Sequence, residues 1–187
     1  MIENKKWFAF FSHTGSEIYK LYKRTGRAPD KIITNLPPGD KRINKNLMKL
    51  KSEFVFTPDK PTKQDYTRLL ARCDDCICTL HGWMRIVPGV ICDEYNFYNL
   101  HPGLITKYPE LKGKDPQSRI NPEIHERLGL VIHAVTAGVD EGEVIAESSC
   151  RNVYNGEEEI TNILKDMAVG TWIDTFDNYR RNEKEDE

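Results

Sequence analysis

The chain has no apolar run near the ~20 residues that a membrane-crossing helix needs. Its first apolar stretch, Trp7 to Phe11, is only a strand in length. The residues before it, Met1-Ile2-Glu3-Asn4-Lys5-Lys6, lack the apolar region of a secretory signal, so the expectation is a cytoplasmic protein without a membrane partner. It has little excess of charge: 27 basic side chains face 29 acidic ones, for a net charge of −2. That balance argues against general binding to nucleic-acid polymers or anionic membranes. Internal repeats, low-complexity linkers and composition breaks are also missing. At 187 residues the chain reads as one domain over residues 1–180 with a charged, flexible tail over 181–187.

Cysteine is scarce and odd in number, with three of the five grouped as Cys73-x-x-Cys76-x-Cys78. A zinc site needs a fourth nearby ligand, and neither His81 nor Cys92 completes a familiar spacing. Cys76-Ile77-Cys78-Thr79-Leu80 reads instead as a buried strand with reduced core thiols. No metal is expected.

What is present is an alternation of short apolar strands and amphipathic helices. Trp7-Phe8-Ala9-Phe10-Phe11 is continuous in its apolarity, as a central parallel strand covered on both faces would be. Ser12-His13-Thr14-Gly15-Ser16-Glu17 follows, then a helix to about Thr25 with Ile18 and Leu21 inward. A strand, a Gly/Ser turn and a helix start make a possible anion site, although Ser16 could equally be a plain helix cap. Lys31–Asn35 and Phe54–Phe56 read as further strands, Lys63–Arg72 as a helix, and Pro37-Pro38-Gly39 as a break. The basic stretch Lys41–Lys51 reads as a helix with a solvated face or as a patch that steers an anion. Phe97–Leu100, Leu130–Val135 and Val144–Ala146 are strands. A short helix is expected after Asn121, and a closing helix spans Gly156 to Arg180, with Gly170 as a point of interruption. The fold class is α/β, a mostly parallel twisted sheet flanked by helices.

The densest chemistry lies between Tyr98 and Gly142. Asn99 and His101 have the i, i+2 spacing that puts two side chains on one side of a strand, at the edge where open α/β sheets bind ligands. Asp140 follows much later, in a Gly-flanked loop after the run Val131-Ile132-His133-Ala134-Val135. Singly, each has an ordinary reading: a structural histidine, a turn asparagine, a hairpin Asp-Glu-Gly. Of the other histidines, His133 is read as pointing into or across the sheet, and His13 and His125 as exposed. His81 is the best remaining candidate.

Asn99-x-His101-Pro102, Lys107-Tyr108-Pro109, Ile132-His133-x-Val135-Thr136 and Asp140-x-Gly142, in this order, resemble the small folate-dependent formyltransferases, the glycinamide ribonucleotide transformylases above all. Gly82-Trp83-Met84-Arg85-Ile86-Val87 resembles the same family's Gly-Phe-Met-Arg-Ile-Leu stretch. The resemblance implies a Rossmann-like formyltransferase fold. It implies transfer of a formyl group from 10-formyltetrahydrofolate to the amine of a small acceptor: a nucleotide, a nucleotide sugar or a glycinamide ribonucleotide-like compound. It implies Asn99, His101 and Asp140 as catalytic residues. Met84, Arg85, Ile86, Val87, Thr136, Ala137, Gly138 and Val139 would line the folate site, and Ser12, Gly15, Ser16 and Pro109 the acceptor side. The alternatives are a 10-formyltetrahydrofolate hydrolase and a non-catalytic nucleotide-binding module of the same fold. The chain is expected as a monomer or homodimer.

Acyl transfer to an amine develops negative charge on oxygen and moves a proton between nitrogens. An Asn amide and a His ring beside a carboxylate suit both tasks, without a Ser or Cys nucleophile. Three positions depart from the family. Glu17 stands where the phosphate turn carries Asn, and a carboxylate there would repel phosphate unless it turned away. Lys112 stands where His is usual. Ala168 aligns with a Glu that grips the acceptor amine.

Overall fold

Strand β1 (Lys6–Phe11) lies in the middle of the sheet because all five of its apolar residues find cover. It pairs in parallel with β2 (Lys31–Thr34) on one side and with β4 (Cys76–Leu80) on the other. In the computed structural model, which describes residues 5–71, 73, 75–154 and 156–185, β3 (Glu53–Phe56) continues beyond β2, and β5 (Asn96–His101) beyond β4, all parallel. Two antiparallel strands close the far side, β6 (Arg127–Ala134) on β5 and β7 (Val144–Arg151) on β6. The order is β3-β2-β1-β4-β5-β6-β7. The strand sequence reverses direction between β1 and β4, and open sheets of this kind place their ligands outside the carboxyl ends of the strands at that point.

Alternate residues of β1 feed two cores. Trp7, Ala9 and Phe11 pack with Ile18 and Leu21 of α1 (Ser16–Thr25) and with Val169, Trp172 and Phe176 of α4 (Glu157–Glu185). Phe8 and Phe10 pack on the other face with Tyr66, Leu69 and Leu70 of α2 (Lys63–Leu70), and with Ile91 of the single turn α3 (Gly89–Cys92). Cys73, Cys76 and Cys78 belong to that second core. A third cluster, including Tyr108, Leu128, Leu130, Leu164 and Ala168, fills the space under β6. Helix α2 starts at a capping box, with Thr62 Oγ1 accepting from Asp65 N and the Asp65 carboxylate accepting from Thr62 N. Such a cap stabilises a helix start by ~1 kcal/mol.

Several expectations are corrected. Lys41–Lys51 is not a helix: only Leu47–Lys49 forms a single 3-10 turn. Its polar side chains bind the backbone locally, Arg42 N to Asp40 Oδ1 and Asn46 N to Asn44 Oδ1, and Asn44 N donates to Thr14 O. Such bonds compete with a helical ladder. The short helix in the polar stretch precedes Asn121, as a 3-10 turn at Pro116–Arg119. Gly170 does not interrupt α4, which continues through Glu185. The last two residues of the charged stretch, and Arg72 at the expected end of α2, lie outside the described residues. His125 is buried: its ring lies 4.7 Å from Tyr108, Nε2 lies 3.0 Å from Glu110, and Nδ1 accepts from Asn121 N. Among the described residues no helix is long and apolar enough to cross a membrane.

Candidate active site

Antiparallel pairing of β5 with β6 sets His133 directly opposite Asn99. Both therefore project on the same face, and Asn99 Nδ2 lies 3.2 Å from His133 Nε2. His101, two residues on from Asn99, is 4 % exposed.

The link from β6 to β7 then carries Asp140 back over this edge. Its path is fixed by backbone bonds, Val135 N to Phe97 O at 2.8 Å and Ala134 N to Glu143 O at 2.9 Å. Gly142 packs against the Ala134 carbonyl so closely that any side chain there would overlap it. Asp140 itself adopts a left-handed backbone, φ 52°, which Asp tolerates better than most residues.

The Asp140 carboxylate is the hub of the cluster. Oδ2 lies 3.2 Å from His101 Nδ1 and accepts from Gly113 N at 2.8 Å, while Oδ1 lies 3.3 Å from His133 Nε2. Burial works to raise its pKa. The bonds from His101 and His133, the charge of His101 and the Gly113 N–H outweigh that, and hold the carboxyl well below the usual carboxylate range.

His101 also donates from Nε2 to Leu111 O at 2.8 Å, so both ring nitrogens face oxygen acceptors, and the protonated ring satisfies both. His133 Nδ1 donates to Ala134 O at 2.8 Å. Its Nε2 is left between a donor, the Asn99 amide, and an acceptor, Asp140 Oδ1. Nε2 can thus accept from the Asn99 amide or donate to Asp140 Oδ1, which ties the two side chains together through the ring.

The sequence reading named Asn99, His101 and Asp140, and the structure brings them into one cluster. Asn99 makes its contact through His133, which the sequence reading set aside. The signal for His133 was present in Ile132-His133-x-Val135-Thr136, but its meaning depends on the β5–β6 register.

The chain just after Met84–Val87, the first segment matched to a folate pocket, meets the second, Thr136–Val139. A Cβ added to Gly89, at the start of α3, would lie 3.0 Å from the Ala137 Cβ. Exposed apolar side chains lie in both segments: Met84 and Ile86 in the first, Val139 in the second. Gly82, at φ 67°, starts the first wall. Met84 N donates to Ser12 Oγ, Tyr66 Oη donates to Ile86 O, and Trp83 Nε1 donates to Tyr66 Oη. Val87 is buried in the core beneath. On the second wall Thr136 Oγ1 donates to Gly138 O at 3.5 Å. Arg85 is held by Asp59. A cleft of about 710 Å³ opens there, along the carboxyl ends of β1 to β3, lined by Ser12, His13, Asn35, Pro37, Arg42 and Met84 among others.

On the expected acceptor side, Gly15 is left-handed at φ 68° and packs on Phe11 and Leu47, with Ser16 beginning α1. Ser16 Oγ and Thr14 Oγ1 bond to each other, and Thr14 Oγ1 accepts from Ser16 N. Pro109 opens the 3-10 turn that ends at Leu111, whose carbonyl holds His101. Glu17 turns inward, to His81 and Trp172.

Residues 28–171 match the sequence family described as formyl transferase. Among solved structures the chain is similar to phosphoribosylglycinamide formyltransferase from Anaplasma phagocytophilum, with a TM-score of 0.78 and 18% identity over 92% of this chain and 85% of that one. It is similar to glycinamide ribonucleotide transformylase 1 from Geobacillus kaustophilus, with a TM-score of 0.72 and 22% identity over 89% and 93%. It also resembles a formyltetrahydrofolate deformylase from Pseudomonas syringae, with a TM-score of 0.76 and 18% identity over 92% of this chain and 60% of the other. At these identities the likeness shows the fold.

Proposed function

Because the chain belongs to the formyl transferase family and is therefore an enzyme that transfers a formyl group, we propose that its donor is 10-formyltetrahydrofolate and its acceptor a small amine. The observation that carries this reading is the buried cluster of Asp140, His101, His133 and Asn99 at the carboxyl edge of β5, beside the exposed apolar walls at Met84–Ile86 and Val139. A flat heterocycle with amide-like edges suits such walls, where main-chain groups can read its edge and apolar side chains its faces.

When bound, the folate supplies a formyl group on nitrogen, ready for attack by the acceptor amine. Asn99 offers a neutral N–H and His101 a charged one to the oxygen on which negative charge develops. In the chain as it stands Leu111 O accepts the hydrogen bond from His101 Nε2, and the reacting oxygen would take its place. Asp140 holds His101 by Nδ1 and fixes the direction of its other N–H. His133 sits on the opposite carboxylate oxygen, where it can take or return a proton as charge shifts within the cluster.

A second reading follows from Ala168, which is 1 % exposed and packed in the third core cluster. That position on α4 brings no carboxylate to an acceptor amine. Water as acceptor, with formate released, would need none, and the structural likeness to a formyltetrahydrofolate deformylase agrees with it.

Calorimetry with a 5-deaza folate analogue tests the donor, with saturable binding expected and weakened by Ile86→Asp or Val139→Asp. No binding at high micromolar ligand would remove the donor assignment. Incubation with 10-formyltetrahydrofolate, with and without a library of amines, separates the two readings by formylated product against free formate.

A further inference from the structure

The segment from Pro109 to Lys114 touches the buried cluster at two points. Leu111 O accepts from His101 Nε2 at 2.8 Å, and Gly113 N donates to Asp140 Oδ2 at 2.8 Å. Left-handed backbone at Gly113, φ 86°, and at Asp115, φ 50°, turns the chain back on itself. The 3-10 turn Pro116–Arg119 then returns the Arg119 side chain to the segment just left. Its guanidinium bonds main-chain carbonyls there. Nη1 donates to Glu110 O, and Nη2 donates to Leu111 O at 3.2 Å, Lys112 O at 2.8 Å and Lys114 O at 3.2 Å. A separate tie holds the same segment through a side chain, with His125 Nε2 donating to the Glu110 carboxylate at 3.0 Å.

Leu111 O therefore has two donors, a ring N–H of His101 and a guanidinium N–H of Arg119. Leu111 is 1% exposed, so its carbonyl depends on protein groups for its bonds. Arg119 Nη2 spreads its N–H groups over several carbonyls, and its bond to Leu111 O is longer than its bond to Lys112 O. In the formyl-transfer reading His101 Nε2 leaves Leu111 O for the reacting oxygen. Without Arg119 that move would strand a buried acceptor, and an unmet buried acceptor opposes the move. With Arg119 in place the carbonyl keeps a charged donor that can close on it.

We propose that Arg119 is a positioning residue: it takes over Leu111 O when His101 turns its N–H to an oxygen of the ligand. This rests on the formyl-transfer reading only for the identity of that oxygen.

The test is nuclear magnetic resonance of the full-length chain, following the His101 Nε2 and Arg119 guanidinium nitrogens during titration with sodium formate at neutral pH. Formate offers an oxygen of the kind that would replace Leu111 O. In the wild type both signals are expected to shift, with one dissociation constant. A His101 signal that never moves, or one that moves while the guanidinium stays still, overturns the proposal. Arg119→Gln removes the charge and most of the donors, and the Gly113 amide signal reports whether the segment stays on Asp140. With that signal in place, formate affinity should fall at least about tenfold. Unchanged affinity overturns the proposal, and if the Gly113 signal is lost the wild-type guanidinium response decides. Glu110→Ala cuts the tie to His125 but leaves both donors of Leu111 O, so it should bind formate as the wild type does. An equal loss in that variant would reduce Arg119 to a loop anchor and overturn the proposal. None of these readouts uses folate, so loss of the donor assignment would be seen separately in the folate calorimetry.

Discussion

The Asp140 carboxylate sits 3.2 Å from Nδ1 of His101, although His101 ends β5 and Asp140 lies in the link between β6 and β7. The contact is buried, with the Asp140 side chain 9% and the His101 side chain 5% exposed. A charge so placed is worth far more than on the surface, and its removal is correspondingly costly. The proposed chemistry depends on this pair.

Asp140→Asn keeps the shape and removes the charge. Turnover should fall by ~10²–10⁴, the range seen when an oxyanion donor is lost or a catalytic histidine loses its carboxylate. Steady-state kinetics with 10-formyltetrahydrofolate would show it, with circular dichroism to verify the fold. A variant within a small factor of the wild type would refute the assigned role.

Asn99→Ala and His101→Ala should each lower kcat much more than they raise KM, because both groups are assigned to charge that develops only in transfer. They act on one oxygen, so the double variant should be little worse than the worse single one. Simple additivity in the double-mutant cycle would mean that they serve separate steps.

His133→Phe tests the residue that the sequence reading passed over. The ring volume is largely kept, but Asp140 Oδ1 and Asn99 Nδ2 lose their partner. An unsatisfied buried group costs ~1–3 kcal/mol, which a urea melt should register. Turnover should fall as well. Wild-type turnover would reduce His133 to a packing residue.

Acid should expose the Asp140 network in stability. Its carboxyl is held well below the usual range, chiefly against burial, by His101 and His133. The stabilisation is therefore complete above the ordinary Asp pKa of about 3.9 and is lost as pH falls below it towards the lowered folded value. Urea melts of wild type and Asp140→Asn should differ most near neutral pH and converge as pH drops. A gap that stays constant into acid would contradict the linkage.

Much of the architecture was legible in residue order. The unbroken run Trp7–Phe11 read as a strand covered on both sides, and the structure puts helices on each face. The helix read over Lys63–Arg72 was legible in the apolar spacing of Tyr66, Leu69 and Leu70, whereas the Thr62/Asp65 cap at its start emerged only in the structure. The spacing of Asn99 and His101 placed both on one face of a strand end because strand periodicity is local. Lys41–Lys51 was misread because Asp40, just before it, and Asn44 within it take backbone N–H groups that a helix would have used, and composition does not reveal which competitor wins.

The sequence by itself determined the strand and helix alternation, the apolar faces and the residue types at the edge of β5, all of which follow from local periodicity and side-chain chemistry. Only the tertiary structure decided which groups met. The β5–β6 register set His133 across from Asn99, and the return of the 135–143 link brought Asp140 between two histidines. The packing of α4 on α1 turned Glu17 towards Trp172, 155 positions away. Those contacts come from burying shared apolar faces, and a burial pattern specifies that two surfaces meet without specifying the polar atoms that meet at their rim.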